Sequence, residues 1–548
     1  MEPSLLSIFP PIFVIILAFY TRKTILALAG GIISAAIIAT QFNLKNSFLL
    51  IIKHFWGQME VDNIYNFSTK MIGSGRLEHI FVFTFLIALG VVISFINYTK
   101  GPVAYSSFIK KQVKNAIGAE FITVFSSLFF FIDDYFSSLT MGRISHPLTD
   151  KTRIPRTKLA FLTSSMATPL SVLSPISTWC AMITIQLKKA GIYFNIFHNP
   201  TVFAKPFKVY LHTIPYVFYS FIIIFGVLFI VASRISFGPM KKDEKAAIQS
   251  EDLSKEKSHN KHESISIKSP SMLNFLVPLC LFIGTILFFV LYIKKPYLKD
   301  ETNSFLLALK NADIYLSLFL GSIVSLPLIT FYFLARKIVS IKESLMLYAH
   351  GFMIMKNSII LLSLVWIFGA ILKSDLHSGQ YLAGLLSGHI SISYLPVIFF
   401  LVSAFISLST GSSWATAAIL IPIVVPMCLH LKNLTPPVDL ASISILVPVL
   451  GAILSGAVAG SHTSLKSDTT IMNAESAGVN LHKHFYSQLA YAAPAIFSSA
   501  FAFLLTGLLQ KHNLFMRLFV PLLSGITIYL ILLYLCHSFY KFYKTEKN

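Results

Sequence analysis

Long apolar runs alternate with short polar segments along the whole chain. Uninterrupted runs that meet the requirement of about 17–25 residues for a bilayer-spanning helix lie at residues 5–21, 24–41, 78–97, 207–234, 272–293, 312–335, 345–372, 393–409, 438–460, 486–509 and 515–538. With the interrupted runs described next, this pattern predicts an all-α polytopic membrane protein with about 11–14 transmembrane or re-entrant helices.

Other apolar segments are interrupted by Gly, Pro, Asp, Ser or Thr, and they form two pairs. The first pair is 115–142 and 158–187, and the second is 393–432 and 438–470. Irregular backbone cannot face lipid, so these breaks must line space enclosed by protein. Because breaks at corresponding places in two halves are typical of secondary transporters, we expect two inverted repeats with broken helices.

A polar insert at residues 237–271 divides the chain into an N-terminal transmembrane half, 1–236, and a C-terminal transmembrane half, 272–548. Rich in Lys, Glu and Ser and without an apolar period, the insert should lack regular structure. Basic residues surround it and also occur in the C-terminal tail and in a predicted loop at 143–158. We therefore expect these segments to face the cytoplasm.

Composition excludes a water-soluble globular protein. Hydrophobic residues make up 55% of the chain and charged residues only 12%, whereas soluble domains carry about 25% charged residues. The net charge of +21 comes from short basic tracts between apolar runs, which indicates cytoplasmic loops rather than nucleic-acid binding. The 4 cysteines are widely spaced, so neither disulfides nor a zinc site is expected. No phosphate-binding loop is present, and we expect no cofactor.

The first candidate site follows a strongly apolar run. Asp133 and Asp134 are adjacent there, and Ser137 and Ser138 come just after. An ionised carboxylate at membrane depth costs at least about 2.5–3.5 kcal/mol, and adjacent carboxylates repel, so one should hold a proton tightly. Such a pair can bind either a proton or a cation. The alternative is a helix cap, with Asp134 accepting bonds from free N–H groups.

The second half carries matching features. Gly411 lies between hydroxyl residues and predicts an unwound turn, with a new helix starting at Ser412 or Ser413. Further on, three glycines allow close helix packing before a dense polar patch. The members of this patch with candidate ligand oxygens are Ser464, Asp468, Thr469 and Thr470.

Residues 131–179 resemble the signature of the NhaC-type sodium/proton antiporters of the ion transporter superfamily. The matching text is FIDDYFSSLTMGRISHPLTDKTRIPRTKLAF followed by ATPLSVLSPISTW, and the resemblance continues in TGSSWATAAILIPI and SGAVAGSHTSLKSDTT. It implies a multi-spanning transporter of a bacterial inner membrane that exchanges sodium or lithium for protons. Relatives in the superfamily exchange organic acids such as malate and lactate.

The chain departs from that signature at several positions. Ser164 and Ser461 stand where the family usually has acids, Thr463 replaces a cysteine, and Leu465 and Lys466 replace an apolar pair that begins with Pro. His462, next to these changes, joins them as a site-modifying residue. The local charge therefore shifts by as much as about three units away from what a sodium site favours.

Lys466 leaves several mechanisms open. It could be a built-in cation that pairs with an Asp when sodium or a proton is absent. It could instead bind a substrate carboxylate together with helix N-termini, or lie in the aqueous mouth and point away from the site.

We predict a sodium (or other monovalent cation)/proton antiporter, active in pH homeostasis, that works by alternating access with Asp133, Asp134 and Asp468 as carriers. The alternative is a proton- or sodium-coupled exchanger of small organic anions or amino acids on the same fold. A third class is an intramembrane enzyme that uses Asp133 and Asp134 as acid and base or as a metal site, with Arg143 and His146 as partners for lipid phosphate; the paired breaks argue against it. The expected partners are a monovalent cation, protons and the lipid bilayer, and a homodimer stays open.

Overall fold

The structure is a computed structural model that describes residues 5–21, 23–59, 78–113, 115–194, 200–249, 271–293, 313–386 and 390–545. The helices before the polar insert are α1 (Phe9–Thr21), α2 (Thr24–Ala39), α3 (Leu44–Met59), α4 (Glu78–Tyr98), α5 (Gly101–Gln112), α6 (Ala116–Ser127), α7 (Asp134–Lys151), α8 (Arg156–Leu173), α9 (Thr178–Lys189), α10 (Pro206–Thr213), α11 (Phe218–Ser233) and α12 (Gly238–Gln249). Those after it are α13 (Leu273–Tyr292), α14 (Ile314–Ala335), α15 (Ile341–Ser374), α16 (Ser378–Leu386), α17 (Leu395–Thr410), α18 (Ser413–Leu431), α19 (Leu446–His462), α20 (Asp468–Ala477), α21 (Leu481–Leu508) and α22 (Leu514–Thr545).

A small parallel sheet joins loops of the two halves. Strands β1 (Ile192–Tyr193) and β2 (Val202–Phe203) pair with each other, and β2 also pairs with β3 (Val438–Asp439). Short 3₁₀ turns complete the described secondary structure, at Leu5–Ser7, Ile214–Tyr216, Ile392–Tyr394 and Leu440–Ile443.

The predicted all-α polytopic membrane fold is confirmed. Within the described residues, nine helices are long and apolar enough to cross a membrane, or ten if the bent pair α8–α9 is one span. Shorter apolar helices add to these at Leu5–Thr21, Thr24–Ala39, Ala116–Ser127 and Leu446–His462. Large apolar side chains on the outside of α22, such as Leu523, Ile531 and Phe539, are exposed. A lipid-facing surface needs such side chains.

Each of the predicted interrupted segments contains a helix break, although Pro169, Pro422 and Pro426 lie within continuous helices. α6 ends at Ser127 and α7 begins at Asp134, and α8 and α9 meet at an angle of 47°. α17 ends at Thr410, and its C-cap Gly411 has a φ of 71°, which glycine adopts without steric cost. α19 and α20 are separated by residues 463–467.

Close packing of α17 on α19 explains the glycines of the second half. A Cβ at Gly456 would lie 2.7 Å from Ser403 Cβ, and one at Gly460 would lie 2.6 Å from Ser407 Cβ. The same two serines donate hydrogen bonds of 2.6 Å, Ser403 to the Ile453 carbonyl and Ser407 to the Ala457 carbonyl. Small residues thus let the two backbones approach, as the sequence predicted.

Two expectations about polar segments are wrong in part. Residues 143–158 are mostly helical, because α7 continues to Lys151 and α8 already begins at Arg156. Lys158 is buried there, and its Nζ lies 2.9 Å from Glu120 Oε1 and 3.0 Å from Glu244 Oε1. Its charge is therefore balanced by ion pairs rather than by the water that a cytoplasmic loop would contact. The polar insert begins with a regular helix, α12, which carries Glu244. Residues 250–270 of the insert lie outside the described residues.

Candidate functional site

Three of the helices that start at a break begin with the same sequence pattern. Each has a polar N-cap, a polar first residue and an aromatic second residue: Asp133–Asp134–Tyr135 in α7, Ser177–Thr178–Trp179 in α9 and Ser412–Ser413–Trp414 in α18. In each case the N-cap oxygen accepts a hydrogen bond from the backbone N–H three residues on, at 2.7, 3.1 and 3.2 Å. The caps fix where each helix begins.

The aromatic residues bring these helix starts together. The Trp414 ring lies 6.3 Å from the Tyr135 ring and 6.2 Å from the Trp179 ring, both in edge-to-face geometry. The Tyr135 hydroxyl donates to Asp468 Oδ2 at 3.4 Å, and Asp468 is the first residue of α20. Four helix N-termini therefore converge, and their positive ends favour the carboxylates that are gathered there.

Asp133 is buried, and each of its two carboxylate oxygens accepts a hydrogen bond. Its Oδ1 accepts from the Phe136 N–H at 2.7 Å, and its Oδ2 accepts from the Thr178 hydroxyl at 3.0 Å. The Thr178 N–H also bonds the Ile132 carbonyl at 2.9 Å. The helix cap considered from the sequence is thus present, but it is Asp133 and not Asp134 that forms it. Through its hydrogen bond from Thr178, Asp133 also links the start of α7 to the start of α9.

Asp134 is also buried, but one of its two carboxylate oxygens accepts no hydrogen bond. Its exposed fraction is 1%, and its Oδ2 accepts from the Thr168 hydroxyl at 3.4 Å. Its Oδ1 has no hydrogen-bond partner among the described residues. The Trp179 indole and backbone N–H groups of the first turn of α7 also lie near this carboxylate, but a buried carboxylate with an unpaired oxygen is costly while ionised. A proton or a cation at Asp134 would remove that cost.

α7 and α20 pack tightly side by side. The Asn473 amide donates to the Ser138 hydroxyl at 2.9 Å, and the Ser476 hydroxyl donates to the Ser138 carbonyl at 2.6 Å. A Cβ at Gly142 would lie 2.7 Å from Ser476 Cβ. This interface holds the start of α20, and with it Asp468, beside the start of α7.

A cavity of about 630 Å³ opens next to Tyr135 and Asp468. Its charged lining residues, within the described part of the chain, are Lys23, Arg143, Lys466 and Asp468. Arg143 Nη2 lies 3.8 Å from Glu475 Oε1. Asp468 is exposed to this space, unlike the buried Asp133 and Asp134.

Lys466 lies at the wall of the cavity against the end of α1. Its Nζ donates to the Phe19 carbonyl at 2.9 Å and lies 4.0 Å from the centroid of the Phe19 ring. These contacts hold the ammonium beside the cavity that Asp468 also lines.

The predicted hydroxyl ligands are buried, and most of them tie polypeptide segments together. Ser464 donates to the Leu408 carbonyl at 2.8 Å, and Thr470 donates to the Ser461 carbonyl at 3.1 Å. Thr469 shares a hydrogen bond of 3.0 Å with the hydroxyl of Ser467, the N-cap of α20. Ser137 is buried on α7. The structure therefore places these oxygens around the breaks, where they stabilise the turns.

Ser164 and Ser461, where the family signature usually has acids, lie in the protein interior. Ser164 Oγ is buried with no hydrogen-bond partner in the described structure, and Ser461 donates to the Val458 carbonyl at 2.9 Å. His462 Nδ1 lies 3.0 Å from the Tyr219 hydroxyl. His484 lies near enough to His462 for electrostatic interaction.

Sequence reasoning missed Tyr135, Trp179 and Trp414. The signal was available, because the same polar–polar–aromatic triplet stands at three predicted breaks. Tyr219 and His484 had no comparable signal, since each lies within an ordinary apolar helix.

The described residues hold no group of three or more His, Cys, Asp or Glu side chains placed to bind a metal ion together. Among the buried carboxylates of the site, Asp134 has an oxygen without a partner. Hard monovalent cations favour oxygen ligands of this kind. His146 and Arg143, considered for an enzyme, instead contact Asp150 at 3.5 Å and Glu475 at 3.8 Å.

Comparisons with known proteins show similarity in sequence and in fold. An uncharacterised protein of Haemophilus influenzae is 28% identical over 507 residues, which cover 92% of this chain and 91% of that protein. The Alcanivorax borkumensis YdaH transporter has a similar fold, with a TM-score of 0.52 at 13% identity, over 86% of this chain and 90% of its own. MtrF of Neisseria gonorrhoeae, from a class of antimetabolite efflux pumps, has a TM-score of 0.50 at 14% identity, over 90% of this chain and 85% of its own.

The family model of the Na+/H+ antiporter family matches residues 192–508, which is more than half of the chain. The match includes α18, α19 and α20 with Asp468, whereas Asp133 and Asp134 precede it. The protein is a transporter rather than an enzyme. The chain belongs to the Na+/H+ antiporter family.

Proposed function

We propose that this protein exchanges a monovalent cation, sodium or lithium, for protons, and that Asp134 is the group for which cation and proton compete. The observation that carries the proposal is the buried Oδ1 of Asp134, which has no partner in the described structure. A proton bound to this carboxylate removes its charge, and a cation balances that charge. Occupation by one therefore excludes the other, which is what antiport requires.

The different surroundings of the two adjacent carboxylates support different roles, a structural one for Asp133 and ion binding for Asp134. Asp133 accepts two short hydrogen bonds, from Phe136 and Thr178, so its charge is already stabilised. Asp134 accepts a long hydrogen bond from Thr168, with the Trp179 indole as the other side-chain donor near it, and its Oδ1 has no partner in the described structure. Asp468 is the partner from the second half, linked to Tyr135 and open to the cavity.

Transport in this proposal proceeds by alternating access, in which the broken helices of one inverted repeat move against the other. The resemblance to NhaC-type antiporters supports this scheme. Ser164 and Ser461, where that family usually has acids, reduce the number of carboxylates, so Asp134 carries more of the ion binding. We expect a weaker affinity for sodium than a site with all the acids would have.

The same proposal covers the cellular setting. The protein lies in a bacterial inner membrane as a monomer or a homodimer. The insert at 237–271 and the C terminus face the cytoplasm, as the excess of basic residues around them favours. Its physiological role is pH homeostasis.

Proteoliposomes with an internal pH dye and an imposed proton gradient test the proposal. Sodium or lithium added outside should release protons from wild-type vesicles, whereas Asp134→Asn vesicles should release none. Asp439→Asn, which changes an exposed carboxylate on β3, is the matched control and should behave as wild type. Absence of release with sodium, lithium and potassium in the wild type, or undiminished release in Asp134→Asn, would contradict the proposal.

A further inference from the structure

The cavity beside the carboxylates is far larger than an inorganic cation requires. Its volume of about 630 Å³ falls within the range of roughly 300–1,000 Å³ that is typical of small-molecule sites. It lies against Tyr135 and Asp468, next to the buried Asp134 but not containing it. The cavity therefore offers space for a second, organic ligand.

Charges of opposite sign stand close together on its wall. Lys466 and Asp468 are separated by one residue, so their Cα atoms lie within about 7 Å of each other, and both line the cavity. Asp468 is the first residue of α20, and the carbonyl and ring of Phe19 hold the Lys466 ammonium in place. Arg143 and Lys23 add further positive charge to the lining.

The rest of the lining divides into an apolar part and a neutral polar part. The apolar side chains include Leu26, Ile93, Ile354, Met355, Leu361 and Met472. Asn97, Asn357 and Ser358 supply amide and hydroxyl groups. An apolar surface with a few polar groups that fix orientation is the usual composition of a site for a small organic molecule.

We propose that this cavity binds a zwitterionic α-amino acid with an apolar side chain. The solute carboxylate pairs with Lys466 and Arg143, the solute ammonium pairs with Asp468, and the side chain lies on the apolar wall. A simple organic cation would face the positive charges of the lining, and a simple organic anion would face Asp468. A zwitterion meets both signs of charge.

Tyr135 connects this site to the ion site. Its hydroxyl donates to Asp468, and its backbone follows Asp134 directly at the start of α7. A solute ammonium that binds Asp468 competes with the Tyr135 hydroxyl and so acts on the residue next to Asp134. The coupling of solute movement to protons through Asp134 rests on the proposed function, whereas binding of the solute in the cavity does not.

Equilibrium binding to the purified full-length protein, measured by calorimetry, tests the proposal. The probes are L-leucine, L-methionine and L-phenylalanine, with leucinamide and 4-methylpentanoate as matched compounds that each lack one of the two charges. At least one amino acid should bind, and its Kd should be at least about tenfold lower than that of either single-charge analogue, because each lost charge removes a charge-assisted hydrogen bond. No binding by any of the three, or equal binding of an analogue, would overturn the proposal.

Variants distinguish the two proposals. Asp468→Asn and Lys466→Met should each weaken amino-acid binding about tenfold or more, while Lys356→Met, an exposed lysine on α15, should bind as wild type. Asp134→Asn should keep the binding and lose cation-driven proton release. Proton release without amino-acid binding would refute the solute site alone, and amino-acid binding without proton release would refute the antiport alone.

Discussion

The Tyr135 hydroxyl donates to Asp468 Oδ2 at 3.4 Å, although the two residues are 333 positions apart in the chain. Tyr135 lies in the first turn of α7 and Asp468 begins α20. The contact therefore joins a broken helix of the first half to a broken helix of the second half. It places Asp468, the acidic residue of the cavity lining, next to the buried carboxylate that we propose as the carrier.

Tyr135→Phe removes this contact and keeps the aromatic ring against Trp414. We expect a slower cation-driven proton release, by about fivefold, because a hydrogen bond to a charged group contributes roughly 1 kcal/mol or more. The free energy of unfolding should fall by no more than about 1 kcal/mol, the contribution of the lost hydrogen bond, since the ring packing is retained. Tyr394→Phe, which changes an exposed tyrosine, is the control. An exchange rate equal to wild type would show that the contact has no part in transport.

Asp133→Ala should destabilise the protein by about 1–3 kcal/mol, because the variant removes the N-cap of α7 and leaves buried donors unpaired. Asp133→Asn keeps an oxygen that can accept from the Phe136 N–H, so we expect a clearly smaller loss. Thermal unfolding of the detergent-solubilised variants measures the difference. If both variants lost the same stability, the negative charge rather than the cap would be the important property of Asp133.

Gly142→Ala should separate α7 from α20. The added Cβ would lie 2.7 Å from Ser476 Cβ, and such overpacking typically costs about 1–3 kcal/mol. Gly284→Ala on α13 is the matched control, because a Cβ there has nothing within 4 Å. We expect a lower melting temperature for Gly142→Ala only. Equal melting of the two variants would contradict the close contact of the two helices.

Lys158→Met removes the centre of a buried ion-pair cluster. Glu120 would keep Arg234, whose Nη1 lies 2.7 Å away, but Glu244 would lose its buried partner. Breaking a buried pair typically costs about 3–5 kcal/mol. The double variant Lys158→Met/Glu244→Gln should recover part of the loss, and Lys342→Met at an exposed position should have no effect. A double variant as unstable as Lys158→Met would contradict this account of the cluster.

The breaks could be predicted from the sequence because their cause is local. Gly411 and the clustered polar residues within apolar runs favour helix ends and caps, and the structure has breaks at those places. The Gly456 and Gly460 packing on α17 was also predictable, since small residues at helical spacing permit close approach.

The roles of neighbouring residues could not be predicted in the same way. Whether Asp133 or Asp134 forms the cap depends on which residue is the last before the helix, and a shift of one position exchanges them. Lys158 pairs with Glu244, which lies 86 residues away in the polar insert. Nothing near Lys158 in the sequence distinguishes this buried lysine from a hydrated one.

The proposal that Asp134 exchanges protons for cations can be tested without transport. Purified protein in a weakly buffered detergent solution receives sodium chloride, with choline chloride as the control for ionic strength, and a pH dye records the protons released. Wild type and Asp133→Asn should release protons on addition of sodium, and Asp134→Asn should release none. Undiminished sodium-dependent proton release from Asp134→Asn would contradict the account.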